Sequence, residues 1–241
     1  MLVKTEAVVL HSFKLGENKL IVDLFTHANG RMSVVVPLSK SPKSKIKKQI
    51  FQPLSIIEVI VDVRTNASLH KLKEAHVVYP YISIPFEPFK ISISLFISEF
   101  LSKALRGEQG DEILYSYITT SLQWFDGRTE HFANFHIVFI MRLTRFLGFY
   151  PNLDGYFRGC CFDLRSGCFT GVVPMHRDFL PPNEASMMGL MMRMDYHNMH
   201  LFRMSHIDRN RLLDVVLHYY RLHLPDFPLL KSLDVLRGLY S

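Results

Sequence analysis

The 241-residue chain has little cysteine and almost no tryptophan: three cysteines, all between positions 160 and 168, and one tryptophan. Three cysteines within nine residues make no disulfide framework, so a reducing, cytoplasmic home is expected. No apolar run approaches the roughly 18–20 residues that span a bilayer. The run at Ile56–Val63 is already broken by Glu58 and Asp62. The opening MLVKTEAVVLHSFK lacks a long apolar stretch and a small-residue cleavage site, so no secretory leader is expected. Absent too are a Walker A loop, a G-x-G-x-x-G turn, a G-x-S-x-G elbow and an H-E-x-x-H pair, which argues against nucleotide hydrolysis and metalloprotease chemistry. At 48% hydrophobic and 21% charged residues, the chain is neither disordered nor collagen-like. Its length suits one or two domains.

The net charge of +6 is unevenly placed. Residues 1–80 hold 12 Lys and Arg against 6 Asp and Glu, whereas residues 81–241 hold 16 of each. A locally basic segment beside a balanced one points to a polyanion-binding module on a separate scaffold, with a merely solubilising face as the alternative.

Within the first eighty residues, five segments read as strands: Thr5–Phe13, Lys19–His27, Arg31–Leu38, Ser55–Arg64 and Leu69–Val78. Apolar and polar residues alternate along several of them, as in Ile60–Arg64. Asn29-Gly30 supplies the positive φ angles of a tight hairpin, and Gly16-Glu17-Asn18 a second turn. Between the third and fourth segments lies SKSPKSKIKKQ, residues 39–49, with five lysines and a proline; Lys45–Phe51 has the makings of a short helix. Five strands with an insertion after the third match an OB-fold, a small Greek-key barrel that binds oligonucleotides. Single strands need cations that track phosphates and flat groups for the bases. The candidate phosphate contacts are Lys14, Lys19, Arg31, Lys40, Lys43, Lys45, Lys47, Lys48, Arg64, Lys71 and Lys73. Aromatics are scarcer here (Phe13, Phe25, Phe51 and Tyr79), and core packing accounts for most of them. The expectation is salt-dependent, backbone-directed binding without direct base reading.

After Val78 the pattern changes. YPYISIPFEPF carries three prolines and suits a linker or docking strap. Helical periodicity follows: Ile91–Leu105, with Ile93, Phe96, Ile97, Phe100, Leu101 and Ala104 on one face, then Asp111–Phe125, Phe132–Leu147, Asp208–His223 and Leu229–Tyr240. The expected class is α+β: a five-stranded OB barrel over residues 1–79, then a helical domain over 80–241 interrupted by a small knuckle at 156–180.

Cys160, Cys161 and Cys168 sit in that knuckle, with His176 a conceivable fourth zinc ligand. A structural zinc site favours spaced ligand pairs. Adjacent cysteines diverge, so three ordinary small apolar side chains are the better reading. His197 and His200, with Asp195 nearby, are three apart but lack a further carboxylate of diagnostic spacing; no metal or cofactor is expected. Met187–Met194 reads either as core or as an adaptable partner groove. Arg142 and Arg145, three apart on the third helix, are candidates to grip a partner's carboxylate, or to form ordinary salt bridges.

The N-terminal stretch TEAVVLHSFKLGENKLIVDLFTHANGRMSVVV resembles the opening of the RecO family of bacterial recombination mediators. The pattern T-x-A-[IV]-V-L falls on Thr5, Ala7, Val8, Val9 and Leu10. G-E-x-x-x-[IL]-[IV] falls on Gly16, Glu17, Leu20 and Ile21, and L-[FY]-T-x-x-x-G-[RK] on Leu24, Phe25, Thr26, Gly30 and Arg31. Gln52-Pro53-Leu54 agrees too, as do Arg142-Leu143 before Leu147-Gly148-Phe149 and Pro151-Asn152. His223-Leu224 and Leu230-Lys231-Ser232-Leu233 agree near the end. The resemblance implies an OB-fold followed by a helical domain, and binding to single- and double-stranded DNA. It also implies annealing of strands coated by single-stranded DNA-binding protein, with help in loading RecA. Implied partners are RecR and the acidic, apolar C-terminal tail of the coating protein. Many members carry a four-cysteine zinc knuckle at residues 156–180; here the cysteines are displaced and too few, so a packed apolar knuckle would stand in its place. The expected function is a non-catalytic repair mediator. An RNA-binding OB protein of translation or RNA processing is the first alternative, and an enzyme centred on the histidine-rich stretch 195–206 the second.

Overall fold

A computed structural model of the chain describes residues 1–38, 47–64 and 67–238. Contacts divide it into two compact units, Met1–Gly127 with the stretch that begins at Leu230, and Arg128–Leu229.

In the first unit, β1 (Leu2–Leu15), β2 (Lys19–Thr26), β3 (Gly30–Pro37), β4 (Ile56–Asp62) and β5 (His70–Tyr79) close into a barrel of order β1-β2-β3-β5-β4. All pairs are antiparallel except β3 with β5. This is OB-fold connectivity, as the alternation of the strands led us to expect. Inward residues form the core: Val9, Leu20, Val22, Leu24, Val34, Val36, Val59, Val61 and Leu72 are all essentially inaccessible. Each contributes about 1.5–3 kcal/mol by leaving water. A register shift between Val9 and His11 marks a bulge in β1. Strand boundaries match the sequence reading to within a few residues. The expected short helix before β4 is a single 3-10 turn, Lys48–Phe51, whose Phe51 plugs the barrel.

The same unit contains α1 (Pro88–Ala104), α2 (Glu112–Gly127) and α6 (Ser232–Gly238). Pro88 stands at the start of α1, and the Glu87 carboxylate caps it by accepting from the Lys90 N–H at 2.7 Å. The apolar face read from the sequence is the buried one, and Ser98 donates to the Leu10 carbonyl, fixing α1 on β1. Glu99 accepts from the backbone N–H groups of Lys231 and Ser232 at 3.1 and 2.8 Å, which seats the start of α6 on α1. The proline-containing strap before α1 hangs on Asp126. Its carboxylate takes the N–H groups of Ile82, Ser83 and Ile84, each at 2.9 Å. Burial alone would raise the Asp126 pKa, but these donors hold it below the ordinary carboxylate range. Lys90, fully buried, donates to Ser83 Oγ and to the carbonyls of Phe125 and Asp126.

The second unit is built from α3 (Phe135–Leu143), α4 (Pro182–Arg193) and α5 (His206–His223), with a three-stranded sheet of order β7-β6-β8. Its strands are β6 (Cys161–Asp163), β7 (Cys168–Thr170) and β8 (Phe179–Leu180). Every residue of α3 except Arg142 is buried. The helix stops at Leu143, earlier than the sequence suggests, because the chain tightens into turns before Gly148 at φ +83°. Tyr220 at the end of α5 donates to the Ile140 carbonyl of α3 at 2.7 Å. Ser205 caps α5 in a reciprocal box with Asp208. Met188, Met191 and Met194 are buried, so much of the methionine run is core.

Candidate nucleic-acid interface

The closed barrel sets the outward positions by register. Phe13 pairs with Ile21, Ile21 with Val35, and Val35 with Lys71. These four residues therefore form one row across β1, β2, β3 and β5, on the face opposite the core. The next row brings Leu15 beside Lys19 and Lys19 beside Pro37. Lys19, Lys71 and Lys73 are exposed, and so is Phe13, at 45%. His11 meets the Phe13 ring edge-on at 5.7 Å. Cations and a flat ring thus share one strand face, the combination that a single strand requires.

The remaining sequence candidates scatter around this face. Lys14 stands at the β1–β2 turn, and the Leu38 N–H bonds to the Asn18 carbonyl at that same turn. Lys40, Lys43 and Lys45 lie outside the described residues. Lys47 and Lys48, both exposed, lead into the 3-10 turn. Arg64 follows β4, where its backbone N–H approaches His70 Nδ1. Arg31 is committed to the fold: its guanidinium donates to the Ser102 carbonyl at 2.7 Å and to Asp23 at 3.5 Å. Elsewhere on the barrel the charge is mixed. Glu6 lies opposite Glu58, which pairs with Lys4 at 3.1 Å.

Sequence reasoning did not find a cleft of about 560 Å³ beside the barrel. It is lined by Gln49 from the 3-10 turn, Gln52 just after it, Tyr79 from β5, Tyr81 from the strap, and Ser94 and Leu95 from α1. The signal was available in the strap's Tyr-Pro-Tyr, which only a fold could turn toward a common wall. The Tyr81 hydroxyl donates to the Leu54 carbonyl at 2.7 Å, where Leu54 sits at φ +64°. Burial, and the negative charge of Asp126, raise the Tyr81 pKa far above the phenol range.

In the second unit, Arg142 and Arg145 part company. Arg142 reaches the Met194 carbonyl at 3.4 Å and Asp195 at 4.0 Å. Arg145 lies past the end of α3, with its guanidinium 4.8 Å from the centre of the Tyr150 ring. Tyr150 in turn lines a shallow cleft with Pro151, Leu153, Met192 and Arg193. Asp195 is occupied by the N–H groups of His197 and Asn198 at 2.8 and 2.7 Å.

The knuckle does not fit zinc. Cys160 and Cys161 are adjacent and buried, while Cys168 contacts Ser166 Oγ. Among the described residues, no group of three or more His, Cys, Asp or Glu side chains is arranged to hold a metal. The knuckle's strands pack through buried Cys161, Phe162 and Leu180, with polar contacts at the margin. Asp178 pairs with Arg165 at 2.6 Å and with His218 at 2.9 Å, and Asp163 lies 3.4 Å from His176. The Arg165 bond is the main reason that the Asp178 pKa is lowered.

The family models described as recombination protein O N terminal and C terminal match residues 1–81 and 85–233. The chain belongs to the RecO family. Proteins named DNA repair protein RecO from Phocaeicola vulgatus and Bacteroides fragilis are 49% and 47% identical to it over the whole of both chains. The one from Porphyromonas gingivalis is 33% identical, again over the whole of both. Two of the motif residues read from the sequence, Phe149 and His223, pack together in the second unit. His223 stacks on Phe149 with ring centres 5.2 Å apart, and its Nε2 lies 2.9 Å from the Leu164 carbonyl. No helix among the described residues is long and apolar enough to cross a membrane.

Proposed function

We propose that this chain is a cytoplasmic, non-catalytic mediator of DNA repair. Its barrel module, residues 1–79, binds the sugar–phosphate backbone of single- and double-stranded DNA. The contacts are Lys14, Lys19, Lys71, Lys73, Lys47 and Lys48, with Lys40, Lys43 and Lys45 from the basic segment and Arg64 at the margin. Arg31 serves chiefly to position β3. The observation that carries this reading is the shared strand face of Lys19, Lys71 and Phe13 on an OB barrel. Phosphate neutralisation releases condensed counterions, and holding two strands at once raises their effective concentration for pairing. The residues from 80 onward hold the acidic tail of single-stranded DNA-binding protein, with Arg145 and Arg142 as the candidate cations. RecR is the companion, and RecA loading the result.

Strand annealing tests the proposal. Complementary DNA strands coated with single-stranded DNA-binding protein should anneal faster with the chain present, and the gain should shrink when the coating protein lacks its tail. No acceleration on coated strands overturns the mediator reading. Competition by matched RNA strands at equal strength would favour an RNA-binding role.

A further inference from the structure

The cleft between the 3-10 turn, β5, the strap and α1 has a composition that a phosphate-binding face does not need. Ser94 is 5% exposed, and its Oγ has no hydrogen-bond partner among the described residues. A buried hydroxyl without a partner is unfavourable, so the site favours an occupant that supplies one. Two tyrosines and two glutamines are among the lining residues, and no lining residue is charged. Lys47 and Lys48 enter the same turn that carries Gln49, which makes its approach cationic. The volume, about 560 Å³, lies within the range of small-ligand sites, roughly 300–1,000 Å³.

We infer that this cleft takes one unstacked base of a DNA single strand. Tyr79 and Tyr81 provide flat apolar wall, the amides of Gln49 and Gln52 and the Ser94 hydroxyl bond the base edge, and Lys47 and Lys48 hold the flanking phosphates. An amide presents a donor and an acceptor together, which suits every base, so the cleft selects unpaired strands rather than a sequence. A duplex keeps its bases stacked and meets only the cationic face. The inference rests on the DNA-binding reading and adds a site that distinguishes single strands from duplex.

The test uses the full chain and three labelled 20-nucleotide probes in fluorescence anisotropy: an ordinary single strand, an abasic strand with the same number of phosphates, and a duplex. The ordinary strand should bind about tenfold more tightly than the abasic one, the order of one base–aromatic contact. Gln49→Ala with Gln52→Ala, both in surface positions, should bring that ratio toward one. Ser94→Leu, which fills the cleft, should do the same, with its fold checked by thermal melting. Equal binding of ordinary and abasic strands by the unaltered chain overturns the inference and leaves the DNA-binding reading standing. Failure to bind any probe overturns that reading itself. Variants that keep the ratio but lose binding to an acidic, apolar peptide reassign the cleft to a protein partner.

Discussion

Gly30 and Gly110 face each other at the tip of the β2–β3 hairpin, with no room for a side chain on either. A Cβ on Gly30 would strike the backbone of Glu108 and Gln109, and one on Gly110 the backbone of Ala28. Gly30 also holds φ +65°, where L side chains are strained. The Arg31 N–H closes the contact on the Glu108 carbonyl at 3.2 Å. Because backbone meets backbone, no rotamer change relieves the clash. Gly110→Ala should therefore cost about 1–3 kcal/mol, and Gly30→Ala at least as much. Gly127→Ala, with open space around it, should be neutral or slightly stabilising. Chemical denaturation of the three variants checks the ranking; equal stability of all three would mean that the hairpin tip is not packed as described.

His136 lies fully inside the second unit, and its pKa is pushed down to about 3, first by burial and then by the Arg209 charge. The folded chain therefore keeps this imidazole neutral at a pH where the unfolded chain protonates it. The linkage has one sign: stability is constant above about pH 6.5 and falls as pH drops below it, by about 1.4 kcal/mol per unit until the folded value is reached. His136→Phe, which preserves an aromatic ring in the core, should flatten the stability profile between pH 6.5 and 4. Stability followed by denaturant titration at a series of pH values decides this. An unchanged acid limb would assign it to other groups.

The barrel was legible in the sequence because period-2 alternation, a glycine turn and a basic interruption all specify the same topology. The buried face of α1 was legible for the same reason at period 3.6. Other features needed the fold. Nothing local announces that Arg31, sequence-adjacent to a turn glycine, spends its guanidinium on the Ser102 carbonyl seventy-one residues away. Arg142 and Arg145 share a spacing but not a helix, since the turns before Gly148 separate them. The cleft joins residues 49 to 95 through a strap whose anchor, Asp126, lies farther along still. Long-range polar contacts of this kind leave no periodic trace.

The knuckle should behave as a metal-independent element. Asp178 holds Arg165 and His218 together, so Asp178→Asn removes the shared charge from both pairs at once. The effect should be a loss of about 1–2 kcal/mol, discounted for the exposure of Arg165. A strong chelator should leave the melting temperature of the unaltered chain unchanged, and elemental analysis should find no stoichiometric zinc. A chelator-induced drop in melting temperature would return the cysteines to a ligand role.

Salt dependence separates the two groups of lysines. If Lys19 and Lys71 flank one strand path across β2, β3 and β5, each neutralises about one phosphate, and the slope of log affinity against log salt should fall by about 0.7 per lysine removed for a single strand. Lys19→Ala with Lys71→Ala should thus lower the slope by roughly 1.4, with little change in melting temperature, because both side chains are exposed. Replacing Lys43, Lys45, Lys47 and Lys48 with Ala should lower it further if the basic segment follows the same strand. An unchanged slope in the first variant and a reduced slope in the second would move the phosphate path off the strand face and onto that segment. Because each slope counts ions released, the comparison distinguishes a shared surface from lysines that merely raise the net charge.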